Sequence, residues 1–208
     1  GPCAVYVTDD SGNPVAVQSG VLEVSQEAGD CVVQFKDPGI NYRWDAPDRL
    51  NEVWVLAVAG GGEGGTDDGG GGGAGEFVEY RNYELSTDDF SPDGILSIDV
   101  GAGGLGSTAE ADNGENSTVG DLTALGGGGG GEADNDTPSE RDGKDGGSGG
   151  GAAGENKSSQ SGESTATEGF GFKGGGSSST SGSRPRGTGG GGAGQEGFDD
   201  GRGGDGKS

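Results

Sequence analysis

Bulky apolar and polar residues alternate through most of the first hundred positions, a spacing that predicts half-buried β-strands. AVYVT (4–8) and PVAVQ (14–18) flank Asp9-Asp10-Ser11-Gly12-Asn13, a turn-rich cluster that predicts a hairpin. VLEVS (21–25) and CVVQFK (31–36) follow across an Ala-Gly-Asp turn, and INYRWDAPD leads through Pro47 into EVWVLAVA. In that last run both alternating sets, Val53/Val55/Ala57 and Trp54/Leu56/Val58, are apolar, which predicts a strand covered on both faces. EFVEYRNYEL (76–85) and GILSIDV (94–100) predict two further strands around the turn Ser91-Pro92-Asp93-Gly94. No stretch carries the periodicity of a helix.

The pattern changes at Gly101. From there glycine tracts alternate with polar segments: GAGGLG (101–106), GGGGGG (126–131), GKDGGSGGGAAG (143–154), GFGFKGGG (169–176) and GTGGGGAG (187–194). The rhythm already begins at GGGEGG and GGGGGAG, within the β half. Beyond Val100 the large apolar side chains are only Leu105, Val119, Leu122, Leu125, Phe170, Phe172 and Phe198. At about 1.5–3 kcal/mol per buried side chain, these cannot enclose an ordinary core. Collagen is excluded because glycine does not recur at every third position. A flexible linker and a bundle of polyproline-II-like glycine segments remain. In the second architecture each segment has three residues per turn and no internal hydrogen bonds, so its amides must find partners on neighbouring segments. Glycine, lacking Cβ, permits that approach. The expected fold class is therefore mainly β and irregular, with almost no α-helix: N-terminal antiparallel strands, then polyglycine-II helices joined by polar loops.

Composition narrows the function. Glycine supplies 54 of 208 residues, so glycine-spaced motifs arise by chance. Gly60-x-Gly62-x-x-Gly65 follows a predicted strand but precedes no helix to hold a pyrophosphate. The final GRGGDGKS, with Gly201, Gly206, Lys207 and Ser208 in phosphate-loop register, lacks both flanking elements. A net charge of −24, with no histidine, argues against nucleic-acid partners. It suits instead a protein working in concentrated salt, where carboxylates stay hydrated and their repulsion is screened. No stretch is apolar enough to span a bilayer as a helix, and no membrane insertion is expected. With no methionine anywhere, the sequence reads as a processed or trimmed segment.

The order Tyr42-x-Trp44-x-x-Pro47, apolar strand, GGGEGG, GGGGGAG, Ile98-Asp99-Val100-Gly101-Ala102-Gly103-Gly104, Ser117–Leu125 and hexaglycine resembles the glycine-rich domain of phage tail-fibre and minor tail proteins. The similarity runs over about residues 42–194. It extends to tail-fibre-tip adhesins of T-even-like phages, built as polyglycine-II sandwiches. The resemblance implies a rigid glycine scaffold whose loops contact a receptor on the host cell, a glycan or a surface-layer protein, with other virion proteins and copies of the chain as further partners. It also implies a virion or extracellular location. Two departures stand out: this chain is far more acidic, and it lacks the apolar closing strand of many such domains. Residues 1–41 then form an N-terminal β module for attachment, and residues 42–208 the glycine-rich domain.

Individual residues carry weaker expectations. Arg141, Arg184 and Arg186 are islands of positive charge that suit an anionic glycan, or simple solubilisation. Phe198 offers a stacking surface or a cap on the bundle. The segments 107–125, 132–142, 155–168, 177–186 and 195–200 are candidate recognition loops. Cys3 and Cys31 either close a disulfide or remain small buried thiols. Asn116, Asn135 and Asn156 head glycosylation sequons. No catalytic residue and no cofactor are expected. Calcium at Asp112, Glu115, Asp134, Asp136 or Asp205 is the weakest of these readings, because no complete ligand loop is present. The competing class is a structural cell-surface or filament-forming protein. An ice-binding glycine-helix protein would want flat, uncharged faces.

Overall fold

A computed structural model describes residues 3–47, 50–106, 111–133, 140–154, 171–176, 187–199 and 202–206, and no α-helix occurs among them. The described strands are β1 (Tyr6–Thr8), β2 (Leu22–Glu27), β3 (Asp30–Phe35), β4 (Asn41–Asp45), β5 (Glu52–Val58), β6 (Phe77–Glu84), β7 (Ile95–Asp99), β8 (Ser117–Val119) and β9 (Leu122–Ala124). One sheet has the order β1-β4-β7-β8-β9, and β2–β3 and β5–β6 form two-stranded sheets. The fold is thus mainly antiparallel β with irregular segments, as the alternation predicts.

Contacts divide the chain into two compact units, each assembled from separated stretches. The first comprises 1–56, 79–100 and 118–123. Its core gathers Val7, Leu22, Tyr42, Leu96 and Ile98, each at most 5% exposed. Strand register places these side chains together: β4 runs antiparallel to β1 and to β7, with Val7 opposite Trp44 and Tyr42 opposite Ile98. The Tyr42 hydroxyl is not stranded by burial, since it donates to the Val21 carbonyl (2.8 Å) and accepts from the Asp37 N–H (3.0 Å). β2 and β3 turn on Ala28 (φ 51°) and Gly29 (φ 101°), the two left-handed positions of a tight hairpin. The Cys3–Cys31 disulfide ties the chain's beginning to β3.

Three local expectations change. PVAVQ forms no strand: Thr8 meets Pro14 in an isolated bridge, and Val15 N–H donates to Val7 O. Pro14 has no N–H to extend a ladder, and Gln18 turns left-handed (φ 61°). β5 is covered on one face only. Val55 and Ala57 are buried, whereas Trp54, Leu56 and Val58 are 73%, 63% and 53% exposed, because a two-stranded sheet need carry no second layer. Finally, 117–124 is not a free loop. β8 and β9 turn at Gly120 (φ 55°), and β8 pairs with β7, with Ile98 opposite Val119.

The second unit comprises 57–78, 101–117 and 124–208, and its described residues are organised by backbone hydrogen bonds with a repeat of three. Within Gly126–Gly131, the N–H groups of 127 and 130 donate to the carbonyls of Gly60 and Glu63, and those of 128 and 131 to Ser148 and Gly151. The N–H groups of 126 and 129 donate to the side-chain carbonyls of Asn116 and Asn113. The repeat continues outward. Gly70 and Gly73 donate to Gly131 and Gly128, while Ser148, Gly151 and Gly154 donate to Ala74, Gly71 and Asp68. Gly149 and Ala152 donate to Phe172 and Gly175. Three residues per turn with every partner on another segment is the geometry of a polyproline-II helix bundle.

Glycine is a steric requirement there. A Cβ placed on 126 or 129 would strike the carbonyl oxygen of Gly114 or Ala111, on 127 or 130 that of Gly73 or Gly70, and on 128 or 131 that of Lys144 or Arg141. The neighbours therefore sit where side chains would begin.

Candidate functional site

What the second unit offers to function is support. Where the backbone lattice runs out of carbonyls, polar side chains complete it. Glu132, 4% exposed, accepts from Thr66 N–H (2.8 Å) and from the Thr66 hydroxyl. Glu76, 2% exposed, accepts from Leu125 N–H (2.8 Å) while its own N–H donates to the Leu125 carbonyl (2.7 Å). Thr188 accepts from Ala152 N–H (2.7 Å), and Ser148 donates to the Gly192 carbonyl (3.1 Å). Such side chains anchor the ends of tracts from which the polar segments depart, because an unpaired buried amide costs about 1–3 kcal/mol.

The candidates named from sequence scatter. Arg141 is only 3% exposed. Its carbonyl accepts from Ala153 N–H (2.9 Å), and this backbone pairing draws the residue into the lattice. Phe198 is half-buried; its carbonyl accepts from Gly189 N–H (3.0 Å), and the Arg202 guanidinium lies 4.4 Å from its ring centroid. That is the setting of a cap on the tract ends. Asn116 is exposed, and its Oδ1 accepts from Gly126 N–H. Arg184, Arg186, Asn135, Asn156, Asp134 and Asp136 lie outside the described residues. No group of three or more carboxylates or cysteines suited to a metal occurs among the described residues. Asp112 and Glu115 instead lend their backbone carbonyls to Glu63 and Gly60.

In the first unit, a knot of polar groups surrounds Asp89, which is 6% exposed. Its Oδ1 accepts from the Tyr83 hydroxyl (2.8 Å) and Asp121 N–H (3.1 Å), and its Oδ2 from Ser86 N–H (2.7 Å) and Oγ (3.0 Å). Burial works to raise the Asp89 pKa, but the hydrogen bonds from Ser86, Asp121 and Tyr83 outweigh it and hold the group below 3.8. Burial, followed by the hydrogen bond to Asp89, pushes Tyr83 up to about 12. Every oxygen of the knot is occupied, so its chemistry is that of a fastening between β6 and the β8–β9 turn.

The exposed face of β5 carries a feature the alternation does not reveal. Trp54 is held in place although 73% of it faces solvent. Its indole N–H donates to Asn82 Oδ1 (3.1 Å), and the Arg81 guanidinium lies 5.5 Å from its ring centroid. Arg81 is fixed in turn by Glu79 (3.0 Å). Asn82 takes a left-handed backbone (φ 65°) inside β6 to make this contact. From sequence, Trp54 is one more apolar residue of a strand; only the register across β5 and β6 singles it out.

A search of curated proteins and of solved structures finds no match. The sequence model of the glycine-rich domain matches residues 37–208, most of the chain and all of the tracts just described. The protein belongs to that glycine-rich domain family.

Proposed function

We propose that the chain is a non-enzymatic surface appendage of a virion, a tail-fibre tip, spike or capsid-decorating protein, that adsorbs to a receptor on the host cell. The observation that carries this reading is the threefold repeat of hydrogen bonds between tracts. A scaffold held by main-chain amides can carry polar segments between its tracts, and binding residues concentrate on such segments. The acidity, 36 carboxylates against 12 basic residues, favours a host living in concentrated salt. Several copies on one particle gain avidity without strong single contacts. The test is adsorption: purified chain should bind susceptible cells in high salt and compete with virus infection. Chain that binds no cell and instead assembles into fibres points to the alternative, a filament-forming cell-surface protein.

A further inference from the structure

The exposed indole on β5 is not part of the apolar core. A fully buried aromatic side chain contributes about 1.5–3 kcal/mol, and Trp54, 73% exposed, forgoes most of that. Yet the ring is immobilised. Asn82 holds its only polar atom and Arg81 lies over it, itself anchored by Glu79. A non-glycine residue in the left-handed region (φ 65° at Asn82) is the kind of local strain that persists where geometry matters. A rigid aromatic ring offered to solvent is the usual form of a binding anchor, because its ordering entropy is already spent before the ligand arrives.

The surroundings choose among ligands. Arg81 and Glu79 pair beside the ring, and the exposed Glu52 and Glu84 lie on the same two strands, so the surroundings do not favour an anion. The chain as a whole carries −24, which repels polyanions and opposes a second, equally charged copy. Trp54, Leu56 and Val58, the exposed apolar residues of β5, are also far fewer than the roughly 20–30 residues a side that a stable protein interface uses. A single exposed ring with the Asn82 amide at its edge and Arg81 over one face leaves its other face to match one sugar ring. The C–H face of a pyranose meets the electron-rich indole face, and its hydroxyls meet the amide of Asn82, the guanidinium of Arg81 and the carboxylate of Glu79. We infer that Trp54, Arg81, Asn82 and Glu79 form a stacking platform for an uncharged pyranose of a host-surface glycan. This inference rests on the surface-binding reading above and places a contact on β5 and β6.

The experiment uses the full chain and three neutral probes, mannohexaose, cellohexaose and chitohexaose, with polygalacturonate as the anionic control. Calorimetry and the indole N–H NMR signals report binding. At least one neutral sugar should shift the Trp54 signal saturably at about 1 mM or below. Trp54→Ala, at an exposed position, should weaken binding about tenfold or more, and Asn82→Ala, which frees the ring, about threefold. The platform is overturned if no neutral sugar moves the indole signal, if Trp54→Ala binds as tightly as the native chain, or if only the polyanion binds. It is equally overturned if sedimentation shows a dimer that Trp54→Ala dissolves while sugars bind nowhere. Cell adsorption separates the two readings. Cells that take up native and Trp54→Ala chains equally overturn the platform and leave surface binding standing, whereas sugar binding through Trp54 without any adsorption does the reverse.

Discussion

At the scale of single residues, two kinds of site decide stability. The first is a glycine whose missing side chain is a neighbour's backbone. Gly128→Ala would drive a methyl group into the Lys144 carbonyl, whereas Gly61→Ala would leave its Cβ at 3.6 Å from Gly73 O, an ordinary contact. Overpacking against immobile backbone should remove about 3 kcal/mol in the first case. The second should stay neutral or gain about 0.4–1 kcal/mol through a stiffer unfolded chain. Urea denaturation followed by amide NMR distinguishes them. The other kind is the Asp89 knot. A carboxylate held below 3.8 contributes stability that is complete above that value and fades as pH falls through the lowered one. Asp89→Asn should therefore be less stable at neutral pH by about 1–3 kcal/mol, and its stability should no longer decline through that acid window. Tyr83 runs the other way: with its pKa raised from 10.0 to about 12, its contribution is whole below 10 and disappears as pH climbs between those values. In Tyr83→Phe that alkaline decline should be absent from the denaturation profile.

At the scale of elements, a glycine tract depends on what lies at its flanks. Gly126 and Gly129 are buried and donate to Asn116 and Asn113. Asn116→Ala and Asn113→Ala should each cost about 1–3 kcal/mol by orphaning a buried amide. Hydrogen exchange should accelerate first at those two glycines. The same elements show what sequence can convey. Strands rich in bulky β-formers, such as LEVSQE, CVVQF and ILSID, are legible, and in ILSID period two and burial coincide. β8 and β9 are not, since STV and LTA are short and half polar, and the pairing of β8 with β7 is a long-range choice. PVAVQ alternates well yet forms no strand, because Pro14 removes a ladder donor. Tract lengths betray a glycine scaffold, but not which tract meets which, for a residue without a side chain carries no pairing code. Nor does sequence reveal that Arg141 is buried, with its carbonyl accepting from Ala153 N–H.

At the scale of the whole molecule, charge and packing set the response to solvent. With 36 acidic groups against 12 basic ones, the compact state repels itself. Raising KCl from about 0.1 to about 1 M shortens the screening length from ~10 to ~3 Å and should raise the melting temperature steadily. A melting point indifferent to salt would mean the carboxylates are spaced widely enough not to interact. The tracts add a less obvious consequence. Unfolding the second unit hydrates peptide groups far more than oily surface, and these contribute to the heat capacity with opposite signs, about −0.26 against +0.45 cal/K/mol/Å². Calorimetry should accordingly give an increment for the chain below the ~12–15 cal/mol/K per residue of ordinary domains. Its free-energy curve is then a shallow dome, and the margin against unfolding changes little between cold and warm solution.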